Sequence, residues 1–401
     1  MAIATCTQTD TSAARKVNLK GEMYSGVSME WMKRPADERF VSMEDLISFT
    51  KGLHDRSEML PIDRKALEFR SDASRGLYLA ADGQEASFTN WSLDQAASAV
   101  GFPRTALGKI AQLDPALAAQ NLNLFLRHAE GQPEDAGLYI DTKKHQLRSW
   151  TGARYGRIPD HAVAQKFVDM AAAGETLWKV PGEMREMGIY NPMVQVTKEN
   201  TTLFASDRDI MFFLVADLEQ DAIEVGKLPN GDPDLMFRGV IVRNSELGRR
   251  RLTVETMLMS AVCMNRNLWN VQGFQNIEII HREGAIDRWD DVQLWLDDLS
   301  KADKQPVVNA VKAAKVDQPL LMGNSVQTAA EAQVQFLVDE CNFQQGQAEA
   351  IVAHRSPGED ERPSLWTLAG RVTSYAQKQE LAEDRFTLEA KGTRILEMVQ
   401  I

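Results

Sequence analysis

The stretch Met236-Phe237-Arg238-Gly239-Val240-Ile241-Val242-Arg243-Asn244-Ser245-Glu246-Leu247-Gly248-Arg249-Arg250-Arg251 decides how the chain is read. Its first half, Met236 to Arg243, is dense in β-branched and apolar residues and reads as a strand. Asn244, Ser245 and Gly248 are turn residues: the first two bond to neighbouring backbone, and the glycine takes positive φ without a steric penalty. Beyond the arginine triplet, Thr253 to Leu268 predicts a helix. Strand, turn and helix in that order bring backbone N–H groups and guanidinium forks to one helix N-terminus, which is an anion site. The alternative is a purely structural turn whose arginines lie on a solvated face, paired with nearby acids.

Working outward, further strands are expected at Gly76 to Ala81, Met193 to Thr197, Ile210 to Ala216 and Asn276 to His281. Gly137 to Ile140 and Gln146 to Trp150 form a hairpin across the polar turn Thr142 to His145. Helices are expected from Met43 to Leu53, from Leu93 to Val100 with Ser92 as cap and Gly101 and Pro103 as stop, and then over Thr105 to Leu113, Pro115 to Glu130 and Asp160 to Ala173. Pro61 to Arg75 shows no clear period. From Asp287 the pattern turns helical, with Trp289, Val292, Trp295, Leu296 and Leu299 on one face, followed by Val307 to Ala314, Val326 to Asn342 and Leu365 to Leu381. The expected fold class is α+β, a mixed or antiparallel central sheet with flanking helices and a helical C-terminal layer. Four regions follow: a loosely ordered tail (1–42), a mostly helical region (43–136), a sheet-rich core (137–284) and a helical region (285–401).

With 401 residues, 44% of them apolar, the chain has the material for more than one core. Three cysteines, Cys6, Cys263 and Cys341, lie far apart, so neither a disulfide framework nor a zinc knuckle is expected, and no metal or cofactor is assigned. The longest strongly apolar run, Ile210 to Ala216, falls far short of the roughly 20 residues that cross a bilayer. A cytoplasmic protein without a membrane partner is the expectation. The net charge of −12 argues against coating nucleic acid through overall charge. Between positions 238 and 251, however, five arginines face a single acid, Glu246, so a local basic site on an acidic body is open.

Several blocks carry a resemblance. Phe88 to Ala99 with Gly101-Phe102-Pro103 and Asn121-Leu122-Asn123 form one, and Leu147 to Tyr155, ending in Arg154-Tyr155, a second. The most specific is a series: Ser206-Asp207-Arg208-Asp209, Arg238-Gly239, Arg243 to Gly248, Val262 to Trp269 and Ile279-Ile280-His281. Leu365 to Tyr375 with Glu389 to Gly392 completes the set. Together, over about residues 75 to 400, they resemble the phage- and plasmid-like family termed domain of unknown function 932. The family usually has arginine where Ile280 stands and glycine at Met264. The resemblance implies a mobile-element setting, with recombination, single-strand annealing, DNA protection or anti-defence as expected roles.

Arg148, Arg154 and Arg157 interleave with Trp150 and Tyr155 as in single-strand grooves, where bases stack on rings and phosphates meet arginine. With Arg243, Asn244, Ser245, Arg249, Arg250 and Arg251 they are the candidate nucleic-acid contacts. An alternating hairpin with its aromatic side in the core explains the same pattern. Other readings are a protein-interaction or anti-defence factor engaging a host protein, and a metal enzyme using Asp207, Asp209, Glu246 and His281. A Cys263/His281 couple is a further thought, against which a core histidine is the ordinary case. No phosphate-binding loop ending in Lys-Ser/Thr exists, so nucleotide hydrolysis is not expected, and a non-enzymatic nucleic-acid-binding protein, with a homo-oligomer as one state, is the leading expectation.

Overall fold

The computed structural model describes residues 36–128, 135–172, 178, 183–184, 190–191, 196–198, 201–216, 221–228, 231–260, 266–267, 277–282, 284–355, 359, 362–376 and a few positions between 388 and 398. In chain order the elements begin with β1 (Arg39–Phe40), α1 (Met43–Asp55), β2 (Ser57–Asp63), β3 (Leu67–Asp72), β4 (Gly76–Ala81) and β5 (Gln84–Phe88). There follow α2 (Asn90–Val100), α3 (Arg104–Leu113), α4 (Pro115–Arg127), β6 (Asp135–Asp141), β7 (Gln146–Gly152) and α5 (Asp160–Ala172). Next come β8 (Glu183–Met184), β9 (Tyr190–Asn191), β10 (Leu203–Ala205), β11 (Ile210–Val215), β12 (Ile223–Lys227), β13 (Pro233–Asn244), β14 (Leu252–Ser260), β15 (Arg266–Asn267) and β16 (Ile277–Ile279). The last are α6 (Trp289–Lys301), α7 (Gln305–Ala314), α8 (Pro319–Met322), α9 (Ala329–Asp339), α10 (Gln345–Ala353) and α11 (Leu365–Ala376). The fold is α+β.

Local chemistry sets many of these boundaries. Ser42 caps α1 by accepting from the Asp45 amide at 3.0 Å, and acids fill the first turn. Thr89 and Ser92 form a reciprocal capping box at α2, which ends at Gly101 in the left-handed region (φ 77°). Ser92 is thus the box's third helical residue and Thr89 the cap, three positions earlier than expected.

Six strands form a mixed sheet in the order β2-β6-β7-β5-β4-β3, with β5 parallel to β7 through Ser87↔Gln146 and Phe88↔Leu147. One face packs on α2, α3 and α4 around Phe69, Leu79, Leu138 and Trp150. The region 43–136, expected mostly helical, therefore supplies four of these strands, and the sheet runs across the expected boundary at 136. Pro61 to Arg75 lacks a single period because it runs through the end of β2, a 3-10 turn at Arg64–Ala66 and β3, where Leu67 and Phe69 alternate with exposed Glu68 and Arg70.

The second sheet is antiparallel, ordered β1-β10-β11-β13-β14-β15, with β12 also on β13 and β16 also on β14. Its central strands β10, β11 and β13 are buried on both faces. Phe212, Leu214, Val240, Val242, Val254 and Leu258 meet the core shared with α5 and the C-terminal helices, while Phe213, Val215, Phe237, Ile241 and Met257 form a smaller cluster behind. Two-sided burial removes the alternation by which a half-buried strand is recognised. Thr253 to Leu268 resembled a helix because Val254, Met257 and Leu258 fall at helical spacing; its described residues are instead β14 and β15, and 261–265 and 268 lie outside the described residues.

The helical C-terminal layer is as expected for α6, α7, α9 and α11, whereas α8, a single turn, and α10, whose apolar residues Ala348 and Ala350 to Ala353 are bunched at its end, were not expected. Most of Met193 to Thr197, the end of Leu365 to Leu381 and the tail up to 35 lie outside the described residues. No helix among the described residues is long and apolar enough to cross a membrane.

Candidate functional site

The connection between β13 and β14, residues 245–251, lies against the first sheet. Gly248 turns it at φ 80°, its amide donating to the Ser245 carbonyl at 3.1 Å. The carbonyl of buried Leu247 accepts from Trp91 Nε1 (3.2 Å) and Gln95 Nε2 (2.9 Å), both on α2. The other end of the Gln95 amide accepts from the Trp150 amide on β7 at 3.1 Å. The two sheets are therefore joined through this turn, and α2 acts as its clamp.

Glu246 is the centre of the junction. It is 1% exposed, and its Oε1 accepts from Arg148 Nη1 at 2.9 Å. Its Oε2 lies 3.3 Å from His54 Nδ1, which is shared with the Tyr139 hydroxyl at 2.9 Å. Its backbone carbonyl accepts from Arg157, whose guanidinium lies over the Tyr139 ring. Burial by itself raises the Glu246 pKa, but the hydrogen bond from His54 and the Arg148 charge outweigh it and hold the carboxyl below its usual range. Tyr139 is pushed up to about 12 by burial and by the neighbouring Glu246 charge. Arg148 also donates to the carbonyls of Leu53 and Asp207 at 3.1 Å each, so one side chain ties α1, β7 and the 206–209 loop together.

Next to it Asn244, fully buried, donates from Nδ2 to Asp160 Oδ1 (2.7 Å) and to the Ile158 carbonyl (2.9 Å). With both amide hydrogens so assigned, its Oδ1 accepts from His281 Nε2 at 3.1 Å. That fixes the Nε2–H tautomer and leaves His281 Nδ1 an acceptor, buried without a hydrogen-bond partner, like the hydroxyl of Tyr155, whose ring stacks on the imidazole at 5.2 Å. Burial, with Arg157 adding to it, lowers His281 to about 4, so the ring is neutral near pH 7. Asp160 is raised well above the usual carboxylate range, first by burial and then by Glu246 nearby.

The anion site expected at a helix N-terminus is absent, because a strand begins at Leu252. Arg243 pairs with Glu255 (3.0 Å) on β14, and Ser245 donates to the Arg208 carbonyl (2.7 Å). Arg249 and Arg250 both approach buried Asp209 Oδ2, at 3.6 and 3.7 Å, and Arg251 pairs with Glu278 at 2.8 Å. Trp150 is shut in the first core, stacked on Phe69 (6.0 Å, 8°), and is closed to a base. Of the eleven candidate contacts, then, Arg148, Trp150, Asn244 and Ser245 are interior, and Tyr155, Arg157 and Arg243 are half-buried. Arg250 is half-buried too, and Arg154, Arg249 and Arg251 are exposed, as are Arg208 and Arg282.

His54, Trp91, Gln95, Tyr139 and Asp160 were missed. The legible signal was Glu246 itself, a lone acid in an arginine-rich stretch, which calls for buried cations around it. Asp207, Asp209, Glu246 and His281 do not converge: Asp207 pairs with Arg208 at 3.4 Å, while the other three hold the separate partners just described. Among the described residues no group of three or more His, Cys, Asp or Glu side chains is placed to hold a metal ion. Cys263 lies outside the described residues, and Cys341 is a buried free thiol.

Comparisons with family models, with curated proteins and with solved structures found no match. What the junction can do rests on its own geometry. Its interior donors and acceptors largely satisfy one another, which suits a rigid support.

Proposed function

We propose that the chain binds single-stranded nucleic acid by its phosphate backbone, through the arginines on the outer side of the junction. One observation carries the reading: the 206–209 and 245–251 loops meet, so that Arg249 and Arg250 converge on the single buried carboxylate of Asp209, with Arg208 and Arg251 beside them. Arg208, Arg249, Arg250 and Arg251 pair there with Asp207, Asp209 and Glu278, and Arg154 and Arg282, each next in sequence to the stacked Tyr155–His281 pair beside Gly248, bring the guanidiniums around the turn to six against those three described carboxylates, on a chain that is otherwise acidic. Phosphate contact of this kind is indifferent to sequence, and with Trp150 buried it has little help from base stacking. The resemblance to the phage- and plasmid-like family supplies the proposed setting, single-strand annealing or DNA protection in recombination.

An excess of roughly three cations gives a salt slope near −2 for a single strand, or a loss of about 20-fold in affinity between 50 and 200 mM salt. Labelled oligothymidylate titrated with the full chain across that range measures it. Arg154→Ala with Arg208→Ala, both at exposed positions, should flatten the slope by about 1.4. No binding at low salt, or binding indifferent to salt, overturns the proposal.

A further inference from the structure

Val316 to Ala353 contains five acids, Asp317, Glu331, Asp339, Glu340 and Glu349, and neither a lysine nor an arginine. The same segment holds four strongly exposed apolar side chains: Val316 (57%), Leu320 (74%), Met322 (53%) and Val326 (92%). From Val326 this apolar band leads into a trough of about 660 Å³ between α9 and α10. Ala330, Val334, Val352 and Ala353 supply its apolar walls, and Glu331 and Glu349 stand on its rim.

The walls are fixed from behind. Arg371 of α11 donates to Gln333 of α9 at 2.8 Å and to the Val352 carbonyl of α10 at 3.2 Å, and pairs with Glu359. The Thr328–Glu331 capping box sets where α9 begins. A preformed trough binds without the ordering penalty that a mobile one carries.

We infer that this trough docks a cationic amphipathic helix of a partner protein. An apolar ridge repeating at i, i+3 or i+4, and i+7 fills a two-helix groove. Val326, Ala330 and Val334 offer such a ridge a line of contacts at four-residue spacing. Lysines or arginines flanking it would meet a rim with no cation of its own. Charge also decides against other occupants. A second copy joined by a two-fold axis sets this acidic face against itself, and anionic lipid or nucleic acid is repelled in the same way. The site is separate from the arginines of the junction, so either proposal can fail alone.

The test uses the full chain and a labelled Leu/Lys peptide of about 18 residues in amphipathic order, read by fluorescence anisotropy. Its Leu/Glu counterpart and a scrambled Leu/Lys peptide of equal composition serve as controls. Affinity for the ordered cationic peptide should exceed that for either control by at least roughly tenfold. It should fall by a similar factor in the chain carrying Ala330→Arg and Ala353→Arg, two exposed positions. Gln335→Lys with Glu349→Lys, on the rim, gives the same loss if the first pair does not fold. Equal binding of the scrambled peptide reduces the effect to bulk charge and overturns the inference. So does binding unchanged by both variant pairs, and so does concentration-dependent dimerisation that Ala330→Arg abolishes, which would put a second copy in the trough.

Discussion

Around Asn244 to Gly248 the protein shuts charged and polar side chains inside and matches them, whereas over Val316 to Ala353 it leaves apolar side chains outside and keeps every charge of one sign. A matched interior holds its own parts in place. A mismatched surface stays incomplete until something else covers it. Substitutions in the first region should therefore register in stability, and substitutions in the second in binding.

The comparison breaks most directly at Glu246. Its loss leaves the Arg148 guanidinium buried with carbonyls and the Ser57 hydroxyl but no counter-charge. Removing one member of such a pair costs about 3–5 kcal/mol, whereas replacing both with apolar residues of similar volume costs far less. Glu246→Ala should lower the free energy of unfolding in urea by about that amount, and Arg148→Met with Glu246→Leu should recover most of it. A loss below about 1 kcal/mol for Glu246→Ala would show that the junction does not depend on this pair.

The second way is pH. Because His281 titrates near 4 in the folded protein and near 6.5 when unfolded, the unfolded chain binds the extra proton between those values. Stability attributable to His281 is thus full above pH 6.5 and is lost as pH falls toward 4, by no more than about 1.4 kcal/mol per pH unit. Asp160 acts in the opposite sense: its raised pKa gives stability that is present at low pH and lost as pH rises through the folded value. Glu246, held low, adds to the loss on acidification only below its ordinary range. Thermal unfolding from pH 7 to 4 should show a decline that His281→Asn flattens. A decline of the same steepness in that variant would remove His281 as its source.

A smaller effect belongs to the trough. Thr328→Ala removes the cap of α9 and should cost about 1 kcal/mol, since only the first-turn amides lose their partner. The same variant should weaken docking of the cationic peptide, whereas Glu246→Ala, under conditions where it stays folded, should leave docking unchanged. The reverse result would couple two regions that the structure keeps apart.

How far the sequence reaches differs in the same way between the two regions. Helices with one wet face were legible, α1 through Leu46 and Leu53 and α2 through its glycine stop, and so were the β6–β7 hairpin through its turn and the buried strands β11 and β13 through their unbroken apolar runs. β14 was not, because Val254, Met257 and Leu258, all interior, fall at helical spacing. That one misreading turned a β-hairpin connection into an anion-binding helix terminus. The arginine-rich stretch stood out by its charge, but residues share a junction through pairings far apart in sequence, such as His54 with Glu246 and Asn244 with Asp160, and no local period records those. In the trough the signal was compositional, a long stretch without a cation, and is visible once charge is counted by segment rather than over the whole chain.

The smallest expected effect separates the inside of the junction from its outer side. Arg251 follows directly on two arginines that approach buried Asp209, yet its own pair with Glu278 is 59% and 54% exposed. An exposed pair gains little Coulomb energy in water and is screened by salt, so Arg251→Ala should change stability by no more than about 0.5 kcal/mol. If phosphate meets the outer side, the same substitution should reduce the salt slope of single-strand binding by about 0.7, the share of one contact. Arg249→Ala tests the next position inward: it leaves Asp209 with Arg250 and the Ser206 hydroxyl, and should lower stability and binding together. A stability loss at Arg251 to match that at Arg249, with no change in slope, would assign the whole triplet to the interior network and leave the nucleic acid without its contacts.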